Sequence, residues 1–159
     1  MPGLLTNHLL KVAIVDHDLD FKELERAVRK LIKNKNASMQ VGFLKTATYK
    51  DGTRVADVAR WLNYGTHRIP PRPFFNKAVS LNNAKWLNIL ATEAGRGKEL
   101  DMKAAFNRLA NVCVGDIQKA LTELRSPPNK PSTIKKKGSS NPLIDTGHLR
   151  RSVTYKVMS

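Results

Sequence analysis

Between Asp101 and Leu124 apolar residues return every three or four positions: Met102, Ala105, Phe106, Leu109, Val112, Cys113, Ile117, Ala120, Leu121 and Leu124. That spacing is one apolar stripe on an amphipathic helix. At 1.5 Å per residue it makes a rod of about 35 Å. A rod of this kind serves as the backbone of a small α+β domain, and the rest of the chain must supply what covers its stripe.

Three stretches read as strands. "KVAIV" (11–15) is short and β-branched. "SMQVGFLK" alternates Met39, Val41 and Phe43 against Gln40, Gly42 and Leu44, so one face is buried. Near the C-terminus Val153, Tyr155 and Val157 oppose Ser152, Thr154 and Lys156, which places a strand over 151–158. Helices separate them. Phe21, Leu24, Val28, Leu31 and Ile32 share one face, behind a cap from Asp18 or Asp20. Asp51-Gly52 marks a tight turn, and Thr53 caps a helix carrying Val55, Val58, Ala59 and Leu62 that closes at Gly65. Residues 74–94 form another helix, with Phe75, Val79, Trp86, Leu87 and Leu90 inward, before "GRGKE" interrupts the pattern. The fold class expected is α+β: a small antiparallel or mixed sheet packed against two to four helices, one of them the long helix of the C-terminal half. A length of 159 residues suits one domain over 1–159.

Residues 126–142, "SPPNKPSTIKKKGSSNP", change character. With a single Ile among Pro, Ser, Lys and Gly, the segment cannot bury enough apolar area to offset its ordering entropy, and it reads as a basic flexible loop. The net charge of +15 points to a polyanion or an acidic protein surface. Lys135, Lys136 and Lys137 are the candidate contacts to nucleic acid or to such a surface, against the plainer reading of a solvated loop. No run of apolar residues reaches membrane-spanning length, so no membrane partner is expected. The N-terminal stretch has no basic leader and no small-residue cleavage site, and reads as mature structure used in a reducing cytoplasm.

Motifs for chemistry are missing from the sequence. The four histidines show no metal-binding helical spacing, and there is no CxxC, nucleophile elbow, Walker loop or dinucleotide fingerprint. "DHD" (16–18) reads as a polar turn with a helix cap sooner than as a metal or base site, and Cys113 as a small buried hydrophobe. No enzyme activity, catalytic residue or cofactor is expected.

The stiffest segment is "NYGTHRIPPRPFF", residues 63–75. Pro70, Pro71 and Pro73 fix φ and keep the residues before them extended, so the connector is ordered before it meets anything. Preordering lowers the entropy lost on binding. Arg68 and Arg72 are then held at defined positions. Phe74 and Phe75 are consecutive, and the expectation is that they do not share one core: one is buried and the other faces a partner.

"VADVARWLNYGTHRIPPRPFFNKAV" resembles a signature of the tailed-phage neck and tail-completion (head–tail joining) proteins, in which a helix ends in Tyr/Phe-Gly-Thr followed by Ile-Pro-x-Arg-Pro-Phe. Tyr64, Gly65, Thr66, Ile69, Pro70, Arg72, Pro73 and Phe74 match it. "NPLIDTGHLRRSVTYKV" is similar to the family's Pro-Leu-x-Asp/Asn-Thr-Gly-x-Leu-Arg-x-Ser run through Pro142, Leu143, Asp145, Thr146, Gly147, Leu149, Arg150 and Ser152. "TATYKDGTRVADVA" resembles the turn before the family's helix. These landmarks cover residues 46–79 and 141–157.

The resemblance implies a structural virion subunit without cofactor or catalytic residues. It would assemble in the host cytoplasm as a homo-oligomeric ring, a hexamer or dodecamer, in the neck or tail region of the particle. Its partners would be portal-side connector proteins and the tail tube or tail terminator, with duplex DNA passing without sequence-specific contact. Candidate interface residues are Tyr64, Arg68, Arg72, Phe74, Phe75, Arg150 and Arg151. The alternative function is a sequence-independent duplex nucleic-acid-binding protein acting in the host cytoplasm, whose affinity would fall steeply with salt.

Overall fold

A computed structural model describes residues 10–14, 17–18, 38–44, 46–95, 102–143 and 147–158. Strand β1 (Leu10–Ile14), the two-residue β2 (His17–Asp18) and β3 (Ser38–Phe43) come first. Helices α1 (Val55–Tyr64), α2 (Phe74–Gly95), α3 (Met102–Glu123), α4 (Pro131–Lys137) and α5 (His148–Arg151) follow, and β4 (Val153–Met158) ends the order. The four strands make one mixed sheet in the order β2-β1-β3-β4. β1 lies parallel to β3, with Val12 opposite Val41, while β3 and β4 are antiparallel, with Val41 opposite Tyr155. The α+β class is therefore as the periodicities indicate. "DHD" differs from the expected turn, because His17 and Asp18 pair with Ile14 and Ala13 as a short antiparallel strand. The helix expected over Phe21–Ile32 lies outside the described residues.

The core forms where the stripe of α3 meets the buried face of β3. Met39, Val41 and Phe43 alternate inward, as a period of two requires, and meet Phe106, Leu109, Cys113, Ile117 and Leu121. α3 packs on both β3 and β4, and α2 packs along α3 in the opposite direction. Among the described residues two ion pairs cross that helix pair, Lys85 Nζ to Asp116 Oδ1 at 2.6 Å and Arg108 to Glu93. Both have an exposed lysine or arginine partner, so their contribution is modest.

The Phe74–Phe75 expectation is corrected. Both rings are fully buried. Successive residues on a strand point to opposite faces, but on a helix they are only about 100° apart. Phe74 and Phe75 open α2, and both rings close on Phe43 of β3, with centroids 6.2 and 6.4 Å away. Phe74 stands edge-on to Phe43 and to Phe75. Such pairs add about 0.5–1.5 kcal/mol each beyond area burial.

The start of α1 also differs. Thr53 gives its backbone N–H to Asp51 Oδ1 at 2.9 Å and caps nothing. Arg54 occupies the N-cap position without a side-chain cap bond, and its guanidinium reaches Asp57 in the first turn at 2.8 Å. The Val55 N–H is taken by the Ala47 carbonyl at 3.0 Å, so the turn itself supplies an acceptor that a capping hydroxyl would have provided.

Candidate assembly interface

The connector between α1 and α2 is built from its backbone outward. Gly65 has φ +78°, and a Cβ there would meet the Ile69 carbonyl oxygen and the Pro71 nitrogen at 2.9 Å each. Only glycine fits, for backbone conformation and for space. Thr66 folds the next residues: its N–H goes to the Ile69 carbonyl at 2.8 Å, and its hydroxyl accepts from the N–H groups of Arg68 and Ile69. The chain returns to α1 when the Arg72 N–H donates to the Leu62 carbonyl at 2.7 Å. Asn63 closes the corner. Its Oδ1 accepts from the Phe75 N–H at 3.0 Å, and its Nδ2 donates to Asn76 Oδ1 at 2.8 Å. Asn63 is buried, and this clamp between the end of α1 and the start of α2 was not singled out in the sequence.

Arg72 does not face outward. It is 4% exposed, and its guanidinium reaches across the fold to the segment after α3. Nε donates to the Pro127 carbonyl at 2.9 Å, and Nη2 donates to the Pro128 carbonyl at 3.3 Å and to Asn129 Oδ1 at 3.0 Å. The acceptors are all neutral, and burial pushes the guanidinium pKa down from its ordinary value. The expectation that Arg72 meets a partner is corrected for the same reason as that for Phe74 and Phe75: these side chains are spent inside the subunit. Asn129 Nδ2 is buried and has no hydrogen-bond partner among the described residues, while its Oδ1 accepts from Arg72.

The exposed part of the corner is aromatic and basic. Trp61 and Tyr64, one helical turn apart on α1, are 38% and 42% exposed. Burial of the remainder pushes the Tyr64 phenol pKa up, against hydrogen bonds from Asn76 and Asn63 that act the other way. His67 and Arg68 are exposed beside them, with Arg68 Nε donating to His67 Nε2 at 3.0 Å. Trp61 was not among the residues read as functional from sequence. Its position three residues before Tyr64 was the available signal.

The C-terminal landmark lies on a separate element. Gly147 takes the left-handed conformation and starts α5, where Leu149 is buried and Arg150 and Arg151 are exposed. The segment is tied down at two points. His148 Nε2 lies 3.1 Å from the Thr48 carbonyl, with its ring 4.9 Å from that of Tyr49, and the Arg150 carbonyl accepts from Gln118 of α3 at 3.2 Å. Tyr64 and Arg68 thus sit on the α1–α2 corner, while Arg150 and Arg151 sit on α5 beside α3 and β4.

The basic segment over 126–142 is not a structureless loop throughout. Pro131 stands at the start of α4, where its missing N–H costs nothing, and Gly138 in the left-handed conformation ends it. No residue of α4 is buried. It is held at its ends: by Arg72 at 127–129, and at the other side by Asn141, whose Nδ2 donates to the Thr122 carbonyl at 3.0 Å and whose Oδ1 takes the Leu143 N–H. Lys135, Lys136 and Lys137 occupy its last turn, where cations meet the negative end of the helix dipole.

Among the described residues no group of three His, Cys, Asp or Glu is placed to hold a metal ion, and no helix is long and apolar enough to cross a membrane. Comparison of the chain with family models, with curated proteins and with solved structures finds no match.

Proposed function

We propose that this chain is a structural subunit of a phage head–tail joint, acting by assembly into a ring around the DNA path and catalysing no reaction. The observation that carries this reading is how the matched landmarks divide. Gly65, Arg72, Phe74 and Leu149 are consumed inside the subunit, where they fix the corner and α5. The residues beside them that stay exposed belong to two separate elements, Tyr64 and Arg68 to the α1–α2 corner and Arg150 and Arg151 to α5. A head-to-tail ring needs two unlike surfaces on every copy. Aromatic residues and arginine are also the types enriched at interface hot spots.

In this reading the particle neck is the site of action and the host cytoplasm the site of assembly. Portal-side and tail-side proteins are the neighbours, and a charge of +15 per copy, multiplied around a hexamer or dodecamer, gives a strong field toward passing duplex DNA or an acidic neighbour. The test is complementation of a phage lacking the gene with a Tyr64→Ala/Arg68→Ala double variant. Both side chains are exposed, so the fold should persist. Heads and tails should accumulate unjoined. Normal yield of infectious particles would remove the corner from the interface. Salt-sensitive gel shifts of duplex DNA by the isolated protein, together with normal joining, would favour the nucleic-acid-binding reading instead.

A further inference from the structure

Helix α4 contributes no packing to the subunit, since none of its residues is buried. It is nevertheless held from both flanks by buried side chains, Arg72 before it and Asn141 after it. A segment whose only task was to stay solvated would need neither clamp. What the clamps fix in space is charge. From Leu124 to Ile144 the sequence holds Arg125, Lys130, Lys135, Lys136 and Lys137 and no aspartate or glutamate. Lys130, Lys135 and Lys136 are exposed, and none of them has an ion-pair partner among the described residues. The helix dipole explains only part of this. It amounts to about half a charge at the C-terminal end, where one lysine suffices, and at the N-cap, where Lys130 stands, it disfavours a cation.

The type of cation narrows the partner. At protein–protein interfaces arginine and aromatic residues are enriched and lysine is depleted. The corner, with Trp61, Tyr64 and Arg68, and α5, with Arg150 and Arg151, carry the enriched kinds. α4 and its N-cap carry lysines only, with no arginine and no aromatic residue. A compact ammonium on a flexible stem suits phosphates, which need charge nearby and no fixed fork geometry. Lys130 and Lys135 lie about 8 Å apart along the helix axis, a little over two phosphate steps of about 3.4 Å on one DNA strand. We infer that α4 is the element of this chain that contacts duplex DNA, with Lys130, Lys135 and Lys136 neutralising backbone phosphates irrespective of base sequence. The inference rests on the ring reading only in that duplex DNA passes close to the subunit, and it uses neither the corner nor α5.

The test measures binding of the full-length protein to a fluorescent duplex of about 20 base pairs by anisotropy over a salt series. Log affinity should fall linearly with log salt. Lys130→Gln, Lys135→Gln and Lys136→Gln combined should weaken binding at least about tenfold at low salt and flatten the slope by roughly 0.9 per lysine removed. A control removes the same charge elsewhere, through Lys50→Gln, Lys77→Gln and Lys103→Gln, three exposed lysines outside the segment, and should leave the slope unchanged. All six side chains are exposed, so unchanged circular dichroism is expected of both variants. Poly-L-glutamate of matched charge number is the probe for an acidic protein surface. It should bind at least about tenfold more weakly than the duplex, whose charges are more closely spaced. The inference is overturned by no binding at about 20 mM salt, by a wild-type slope in the α4 variant, or by a control that flattens the slope equally. It is also overturned if polyglutamate binds as tightly as the duplex, which would assign α4 to an acidic protein. None of these outcomes decides the ring, which the joining assay with the Tyr64→Ala/Arg68→Ala variant tests separately.

Discussion

Replacing Arg72 by methionine should destabilise the protein by about 3 kcal/mol. Methionine keeps an unbranched apolar stem of similar reach, so little cavity is created and the change isolates the guanidinium. Three donated hydrogen bonds disappear, to Pro127, Pro128 and Asn129. Bonds from a charged donor contribute roughly 1.5–3 kcal/mol each. The longest, at 3.3 Å to the carbonyl of exposed Pro128, belongs at or below the low end, since water can replace it. A gross loss of about 5 kcal/mol is then offset by about 2 kcal/mol, because a buried cation without a carboxylate partner no longer has to be kept from water. Urea unfolding followed by circular dichroism measures the sum. Amide exchange gives its location: protection should fall first over 127–137, since α4 has no buried residue of its own to hold it. A loss below about 0.5 kcal/mol, or exchange over α4 unchanged, would refute the claim that Arg72 pins this segment.

Gly65→Ala should cost more than about 2 kcal/mol, through positive φ and contacts at 2.9 Å, whereas Gly52→Ala, also at positive φ but with open space around it, should cost only about 1 kcal/mol in the same assay. Cys113 is buried, and burial pushes its thiol pKa well up, so native protein should resist a thiol reagent that labels it fully in urea; rapid labelling of the folded form would contradict the packing of α3. Asp51 is held below its ordinary 3.8 chiefly by the Thr53 N–H. Its contribution is therefore whole above the unfolded carboxylate value and fades as pH falls through the lower folded one, and a carboxyl NMR titration with a midpoint at or above the ordinary value would exclude that bond.

The legible part of the fold is the part written in short-range periodicity. The alternation at Met39, Val41 and Phe43 and the stripe from Met102 to Leu121 each report which face is apolar, and burial follows that face in both. Gly65 was legible for a related reason: a helix that must turn sharply leaves few residue types able to do it. Sheet order was not legible, because strand composition does not state a neighbour. The parallel pairing of β1 with β3, and the place of β4 at β3's other edge, depend on how the whole chain closes.

The candidate site divides along the same line. By itself the sequence determined that residues 63–75 are a stiff corner carrying arginines and aromatics, since proline and glycine act through the local backbone. The tertiary structure alone decided which of those side chains remain outside. Phe74 and Phe75 went in together because the first turn of α2 lies against Phe43 of β3, where two positions about 100° apart both meet the sheet. Arg72 went in because carbonyls 55 and 56 residues further along the chain come within reach of its guanidinium. A cation can be buried only where acceptors converge on it, and convergence over that separation is a property of the folded shape, which no local pattern of residues encodes.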